Sequence, residues 1–225
     1  MTNLADLFKN KELLDQALTH RSWVNEHKNL RRSNERLEFL GDAVLEFVVS
    51  SEIYKAYAGQ AEGYLTALRA NLVNTVSLAQ IAKDLDLGKM IHLSKGEQDS
   101  GGRENSSLLA DTVEAIIGAL FIDQGLPKAS EFIYNNLLKD LEKRAKLPLK
   151  DSKSLLQEYV QSQGLPTPKY KVISEIGPDH NKAFVIEVLI ADNSWGRGEG
   201  KSKAQAQQEA AKNALDMIQS KKQNG

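Results

Sequence analysis

The chain has 225 residues, of which 41% are hydrophobic and 26% are charged, and its formal net charge is −1. The composition is ordinary for a globular protein, and the length allows one large domain or two small ones, each with its own core. Charges interrupt every hydrophobic stretch before it reaches the roughly 18 residues of a membrane span, so we predict no membrane segment. The near-neutral charge excludes binding of a polyanion by bulk charge alone, so a nucleic-acid partner would be recognised through the placement of charge.

The sequence contains no cysteine. Disulfides, thiolate metal sites and cysteine nucleophiles are therefore excluded. The absence of cysteine fits a reducing compartment, and the N-terminus MTNLADLFKN lacks the basic and apolar regions of a secretion signal. We therefore predict a cytoplasmic location.

Up to about Arg144 the sequence predicts one helix after another, because apolar residues recur at three- and four-residue spacing. The predicted helices cover residues 13–24, 37–57, 62–87, 107–125 and 128–144. A polar loop at 92–105 precedes the fourth helix, for which Ser106 or Ser107 is the expected N-cap. Gly41 and Gly118 lie inside helical stretches, where glycine is unfavourable, so we expect close helix packing at both positions.

The pattern changes after the short stretch LPLK, residues 147–150, which we interpret as a linker. Segments rich in Val and Ile that alternate apolar and polar residues predict strands, and an alanine-rich helix capped by Ser202 follows them. The predicted order is a helix, three strands and a helix, at 152–164, 169–177, 181–190, 195–200 and 202–218. The fold class is therefore an all-α domain at 1–146 followed by a small αβββα domain at 151–222.

The stretch NERLEFLGDAVL places three carboxylates inside one of the most apolar predicted helices. At about 100° per residue, Glu35, Glu38 and Asp42 fall within a stripe about 60° wide. Apolar residues occupy most of the remaining directions, which is typical of a buried helix. Carboxylates that are partly buried side by side lose hydration and repel one another, so a positive group must lie among them.

A second acidic pair, Asp111 and Glu114, has i, i+3 spacing in the apolar stretch LADTVEAIIGALF and therefore shares one helix face. If the two helices cross at their acidic faces, at least four carboxylates meet, and such hard oxygen ligands suit Mg²⁺ or Mn²⁺. The alternative is ordinary: acids on a solvated helix face, or acids paired with Arg36 or Arg69. Glu46 continues the first stripe by one more turn, and we interpret it as structural.

The stretch NERLEFLGDAVL closely resembles the signature of the ribonuclease III family. The stretches LADTVEAIIGALFIDQG and GGREN are similar to that family's second acidic helix and the loop before it, and ALTHRS is similar to its N-terminal segment. The αβββα half is similar to the double-stranded-RNA-binding domain of bacterial members. The resemblance covers nearly the whole chain in the family's order and spacing.

The resemblance implies a homodimeric endonuclease that hydrolyses double-stranded RNA and leaves 5′-phosphate and 3′-hydroxyl ends. Its substrates would be precursors of ribosomal, messenger and other structured RNA. The implied cofactor is Mg²⁺, with Mn²⁺ as a substitute, and no small-molecule cofactor is implied. A carboxylate-held metal activates water and stabilises charge on a phosphate, so no general-base histidine is required. His20, His27, His92 and His180 stand apart in the sequence, which disfavours a ribonuclease that uses a histidine pair.

Positions of the family's metal-site acids correspond to Glu38, Asp42, Asp111 and Glu114. The implied catalytic set is Asp42, Glu114, Glu35 and Glu62, near the dimer interface. Phe39 and Leu40 face away from the acids and are interface or core residues, and core is the interpretation that we prefer.

The αβββα half carries the implied RNA-binding positions, since such domains contact two minor grooves of duplex RNA and the phosphates between them. These positions are Gln157, Glu158, Pro178, His180, Lys201 and Lys203. Ala204 and Gln207 depart from the family pattern, which usually has basic residues there, so we expect weaker and less salt-sensitive binding. Lys182 or Lys212 could compensate.

The alternative function is that of a non-catalytic double-stranded-RNA-binding regulatory protein. A protein that has lost the chemistry should lack at least one of the four metal-site acids, and none is missing. The enzyme is therefore the preferred prediction.

Overall fold

A computed structural model describes residues 4–28, 30–145, 149, 151–177 and 182–223. The chain divides into two compact units, Met1–Leu149 and Lys150–Gly225. The first is helical and the second contains a three-stranded antiparallel sheet with helices, so the predicted fold class is confirmed. Of the proposed linker at 147–150, only Leu149 lies within the described residues, and the exact domain bounds stay a prediction. None of the helices in the described ranges has the length and apolar character of a transmembrane segment.

The first unit contains the helices α1 (Lys11–Ala17), α2 (Arg21–Glu26), α3 (Glu35–Ala56), α4 (Glu62–Leu72), α5 (Thr75–Asp84), α6 (Leu87–Met90), α7 (Lys95–Asp99), α8 (Ser106–Ile133) and α9 (Leu141–Ala145). Short 3-10 helices lie at Leu4–Leu7 and Gly102–Glu104, and a π-helical segment spans Tyr134–Leu138.

Local side-chain caps divide two stretches that the apolar pattern predicts as single helices. The predicted helix at 13–24 is α1 and α2, because the His20 side chain caps α2 by accepting a hydrogen bond from the Ser22 N–H. The predicted helix at 62–87 is α4 and α5, with only its last residue in α6, and Asn74 caps α5. The prediction of Ser106 or Ser107 as the cap of α8 is wrong. Asn105 is the N-cap, with its side-chain oxygen accepting hydrogen bonds from the first turn, because an Asn side chain satisfies the free N–H groups there.

The centre of the first unit is the contact between α3 and α8. A Cβ atom added at Gly41 would lie 1.8 Å from the backbone oxygen of Glu114, and one added at Gly118 would lie 2.1 Å from that of Leu37. Only glycine allows two helix backbones to approach this closely, and the predicted close packing at both glycines is confirmed.

One face of α3 is exposed. Phe39 is 80% exposed, and Phe47 and Tyr54 are also exposed. The preference for Phe39 as a core residue is therefore wrong, whereas Leu40 is half-buried and packs against the core. The apolar pattern could not distinguish these cases, because a core face and an unpartnered apolar face have the same composition.

The second unit consists of α10 (Ser152–Ser162), β1 (Lys169–Ile176), β2 (Ala183–Ile190), β3 (Asn193–Gly200) and α11 (Lys203–Gln223). The strands are antiparallel in the order β1-β2-β3. Ala191 and Asp192 both have positive φ and form the two-residue turn between β2 and β3.

The glycine-rich strand β3 and the alanine-rich helix α11 pack against each other through small residues on both sides. A Cβ at Gly198 would lie 2.1 Å from the backbone nitrogen of Ala210, and Gly196 and Gly200 make similarly close approaches to α11. The helix therefore packs directly on β3, and its fully buried face consists of alanines such as Ala210 and Ala214. This packing fixes the start of α11, where the predicted phosphate contacts lie.

Candidate functional site

The acidic side chains of α3 and α8 meet beside the glycine contact. Glu38 precedes Gly41 by three residues, and Glu114 precedes Gly118 by four, so each acid lies one turn from its glycine. Carboxylate oxygens of Glu38, Asp111 and Glu114 all lie within 4.8 Å of one another. We call these three residues the carboxylate cluster.

Asp42, the fourth predicted metal ligand, lies next to the cluster but outside the group defined by that distance. Its side chain is exposed. Its negative charge nevertheless contributes to raising the pKa of both Glu38 and Glu114. The structure thus brings three of the four predicted ligands within 4.8 Å of one another, and the fourth is an exposed neighbour.

Burial and mutual repulsion make the cluster costly to ionise. Burial raises the pKa of Glu114 to about 8, and the charges of Asp42, Asp111 and Glu38 add to the effect. The pKa values of Glu38 and Asp111 are also raised, in each case chiefly by burial. Carboxyl groups with these surroundings favour either a bound proton or a nearby cation.

Arg69, one of the two arginines named in the salt-bridge alternative, is paired away from the carboxylate cluster. The Arg69 Nε lies 2.9 Å from the Glu46 Oε2, and the same guanidinium also donates to Ser50. Glu46 therefore has a structural partner, in agreement with its interpretation from the sequence. Among the described residues, no lysine or arginine forms an ion pair with the carboxylate cluster. The salt-bridge alternative therefore does not explain the cluster.

Glu35 and Glu62, the other two predicted catalytic acids, lie outside the carboxylate cluster. Glu35 is exposed and accepts hydrogen bonds from Arg21 at 3.2 Å and Ser33 at 2.8 Å. Its charge contributes to the raised pKa of Glu38, so it lies near the cluster. Glu62 is exposed in the first turn of α4, where it accepts a hydrogen bond from Thr66, and it is not part of the cluster. The catalytic roles of both residues stay predictions.

His20 lies closer to the acids than the sequence suggested. Burial lowers its pKa, and its charge opposes the rise in the pKa of Asp111. Its Nδ1 accepts a hydrogen bond from the Ser22 N–H at 3.2 Å, so the side chain has a structural role as the cap of α2. No spacing rule could have placed it beside Asp111, because the two residues are far apart in the chain.

The predicted RNA-binding residues of the second unit are exposed where the structure describes them. Gln157 and Glu158 lie on the exposed face of α10, opposite the buried Leu156 and Val160. Lys201 and Lys203 are exposed at the start of α11. Pro178 and His180 lie outside the described residues. The cap by Ser202 is confirmed, since its Oγ accepts a hydrogen bond from the N–H of Gln205 at 3.2 Å.

Lys153 is a cation near α11 that sequence reasoning missed. Its Nζ donates to the Gln207 Oε1 at 2.7 Å and lies 5.0 Å from the centre of the Tyr170 ring. Gln207 stands at one of the two positions where the chain lacks an expected basic residue. Lys153 of α10 therefore supplies a positive charge beside Gln207. Lys212 is one of the two lysines that could compensate for the missing basic residues. Its Nζ lies 3.8 Å from the Glu209 Oε1, so its charge is partly neutralised.

Comparison with known proteins decides the family. Residues 10–141, more than half of the chain, match the family model described as Ribonuclease-III-like. The chain belongs to the ribonuclease III family. Residues 152–218 match the double-stranded RNA binding motif. As a member of the ribonuclease III family, the chain is an endoribonuclease, and its second unit is a double-stranded-RNA-binding domain.

Relatives within the ribonuclease III family cover nearly the whole chain. A Ribonuclease 3 of Oceanobacillus iheyensis is 48% identical over 94% of this chain and 93% of its own length. A Ribonuclease 3 of Streptococcus pneumoniae is 47% identical over 93% of this chain and 90% of its own length. The solved nuclease domain of ribonuclease III from Campylobacter jejuni is 44% identical, with a TM-score of 0.55, and the match covers 64% of this chain and 96% of that domain.

Proposed function

We propose that the protein is a homodimeric, Mg²⁺-dependent endonuclease that cuts double-stranded RNA within precursors of ribosomal, messenger and other structured RNA. Mn²⁺ is the proposed substitute for Mg²⁺, and the products carry 5′-phosphate and 3′-hydroxyl ends. The observation that carries the proposal is the carboxylate cluster, whose oxygens lie within 4.8 Å of one another without a basic partner among the described residues.

The donor chemistry of the cluster fits a hard divalent cation. All of its potential ligand atoms are carboxylate oxygens, which Mg²⁺ and Mn²⁺ prefer over softer ligands. Burial, and then repulsion between the carboxylates, raises the pKa values of Glu38 and Glu114, and a divalent ion would offset both effects. Glu38, Asp111 and Glu114 would hold the ion, together with Asp42. When bound, the ion supplies a water of lowered pKa and stabilises negative charge on the phosphate.

The protein's own contribution is to position these groups. The glycine contact between α3 and α8 holds the two acidic helices at a short, fixed separation. Asp42 is the exposed one of the four predicted metal ligands, so we expect the phosphodiester to approach from its side. Attack of water on phosphorus with departure of the 3′ oxygen leaves a 5′-phosphate and a 3′-hydroxyl. We include Glu35 and Glu62 in the catalytic set because of their correspondence to family positions.

An exposed apolar surface on the first unit supports the homodimer. Phe39 of α3 and Ile122 of α8 are 80% and 54% exposed and line one depression, and Phe47 and Leu126 line a second. Clusters of exposed apolar residues are typical of protein interfaces. The nuclease domain of the Campylobacter jejuni protein has a structurally flexible region that is involved in dimer formation. A second copy bound to this surface would bring a second carboxylate cluster, so that the dimer would have one cluster for each strand of the RNA duplex.

The second unit would bind the RNA duplex by shape, through its exposed Gln157, Glu158, Lys201 and Lys203 and through Pro178 and His180. The family matches at 10–141 and 152–218 support domains at 1–146 and 151–222 joined by a linker at 147–150. The absence of cysteine supports a reducing, cytoplasmic compartment.

Cleavage of a long RNA duplex with and without Mg²⁺ tests the proposal, with Glu114→Gln as the active-site variant. The wild type should cut only with the metal, and the variant should bind the duplex without cutting it. Glu46→Gln is the control, because it removes an acid of α3 that is paired with Arg69 of α4, and it should still cut. Tight duplex binding by the wild type with no cutting in Mg²⁺ or Mn²⁺ would instead establish the non-catalytic alternative.

A further inference from the structure

Lys203, a predicted phosphate contact, is engaged within the protein. Its Nζ lies 2.8 Å from the Glu175 Oε1 of β1 and 5.5 Å from the centre of the Phe184 ring of β2. Both charged side chains remain open to solvent, with 56% of the Lys203 side chain and 39% of the Glu175 side chain exposed. The ammonium is therefore held at the start of α11 by a carboxylate and an aromatic ring, in a place that a phosphate can reach.

The Glu175 carboxylate is ionised at neutral pH and has two lysines, Lys203 and Lys182, near it. The hydrogen bond from Lys203 lowers its pKa most, and the charges of Lys203 and Lys182 lower it further. A fixed negative charge thus stands beside the N-terminus of α11, whose free N–H groups and helix dipole favour an anion. A phosphate that approaches Lys203 is therefore repelled by the Glu175 carboxylate and competes with it for the ammonium.

We propose that Glu175 limits the affinity of the second unit for duplex RNA by holding Lys203 in an ion pair with which an RNA phosphate must compete. The inference rests on the RNA-binding role of Lys203 in the proposed function. Because Glu175 already neutralises part of the charge of Lys203, a phosphate bound there is neutralised less completely and releases fewer of its condensed counterions. Glu175 therefore weakens binding and also flattens its dependence on salt, in addition to the missing basic residues at Ala204 and Gln207.

Duplex binding by the full-length protein, measured in EDTA to prevent cutting, tests the role of Glu175. Dissociation constants are determined between 50 and 200 mM salt for the wild type, Glu175→Gln, Lys203→Gln and the double variant. Glu175→Gln should bind about two- to fivefold more tightly at low salt, the range of an exposed ion pair. Its plot of log affinity against log salt should be steeper by up to about one. In the Lys203→Gln background, Glu175→Gln should have no effect beyond that of the control.

Glu187→Gln is the control, because it removes the same charge from β2 of the same unit at a residue that accepts a hydrogen bond from Ser194 at 2.8 Å. An equal gain of affinity in Glu175→Gln and Glu187→Gln would overturn the inference, since bulk charge would explain both. Weaker binding of Glu175→Gln would overturn it as well, because Glu175 would then orient Lys203 toward RNA. If Lys203→Gln binds like the wild type, the proposed RNA contact of Lys203 fails, and the inference fails with it.

Discussion

Replacement of Glu114 by glutamine should stabilise the metal-free protein at pH 8 while abolishing RNA cutting. Burial and the neighbouring carboxylates raise the pKa of Glu114 from 4.5 to about 8 in the folded chain. The folded state therefore holds a proton between these pH values that the unfolded state has lost. Stability then falls as the pH rises from about 4.5 to about 8, because folding increasingly requires an unfavourable ionised carboxylate. A neutral glutamine of similar size removes that cost.

The magnitude follows from the two pKa values. Each pH unit between them corresponds to about 1.4 kcal/mol, which sets an upper limit of roughly 5 kcal/mol for a site fully shielded from water. Glu114 is only half-buried, and screening by solvent reduces the expected gain to roughly 1–2 kcal/mol at pH 8. At pH 4.5 and below, the protonated glutamate and the glutamine are nearly equivalent, so the difference should disappear.

Urea unfolding in EDTA at pH 4.5 and pH 8, at equal protein concentrations, measures this difference. A Trp195→Phe background leaves Trp23 of α2 as the only tryptophan, so its fluorescence reports on the first unit. Glu46→Gln is the control on α3: it breaks an ion pair with Arg69 and should cost roughly 0.5 kcal/mol. Saturating Mg²⁺ should stabilise the wild type more than Glu114→Gln, because the variant lacks one ligand.

A Glu114→Gln variant that is less stable than the wild type at pH 8 without metal would refute this reasoning. The same would follow from a difference of equal size at pH 4.5 and pH 8. In either case the ionised Glu114 would not be the source of the cost, and the cluster would have a compensating partner.

Three further predictions follow from the packing, the exposed apolar surface and the RNA-binding face. Gly118→Ala should lower the free energy of unfolding in urea by about 3 kcal/mol, since its Cβ would lie 2.1 Å from a backbone oxygen. In the control Gly63→Ala the added Cβ has no atom within 4 Å, so its stability should be unchanged or slightly raised, and an equal loss in both variants would contradict the close contact. In sedimentation, Phe39→Asp should be a monomer. Val76→Asp should stay dimeric, because it changes an equally exposed residue on another helix, α5. A monomeric wild type would exclude the proposed dimer. Gln157→Ala should raise KM for a short duplex about fivefold, the effect of one lost hydrogen bond, at unchanged kcat; a fall in kcat alone would argue against a binding role.

Most of the local organisation of this protein is readable from its sequence. The spacing of Asp111 and Glu114 puts them on one helix face, because the helical repeat is a property of the backbone. Gly41 and Gly118 likewise signal close packing, since glycine inside a helix is unfavourable without such a reason. The alternation of Val and Ile in β2 identifies a strand for the same kind of local reason.

The tertiary structure decided which of these local features meet. It brought Glu38, Asp111 and Glu114 within 4.8 Å of one another, and the burial that raises their pKa values exists only in the folded chain. It exposed Phe39, which its apolar neighbourhood had assigned to the core. It also paired Lys203 with Glu175, residues of different elements. Sequence periodicity describes one element at a time, whereas contacts between elements depend on how all of them pack together, and the chemistry of this protein depends on those contacts.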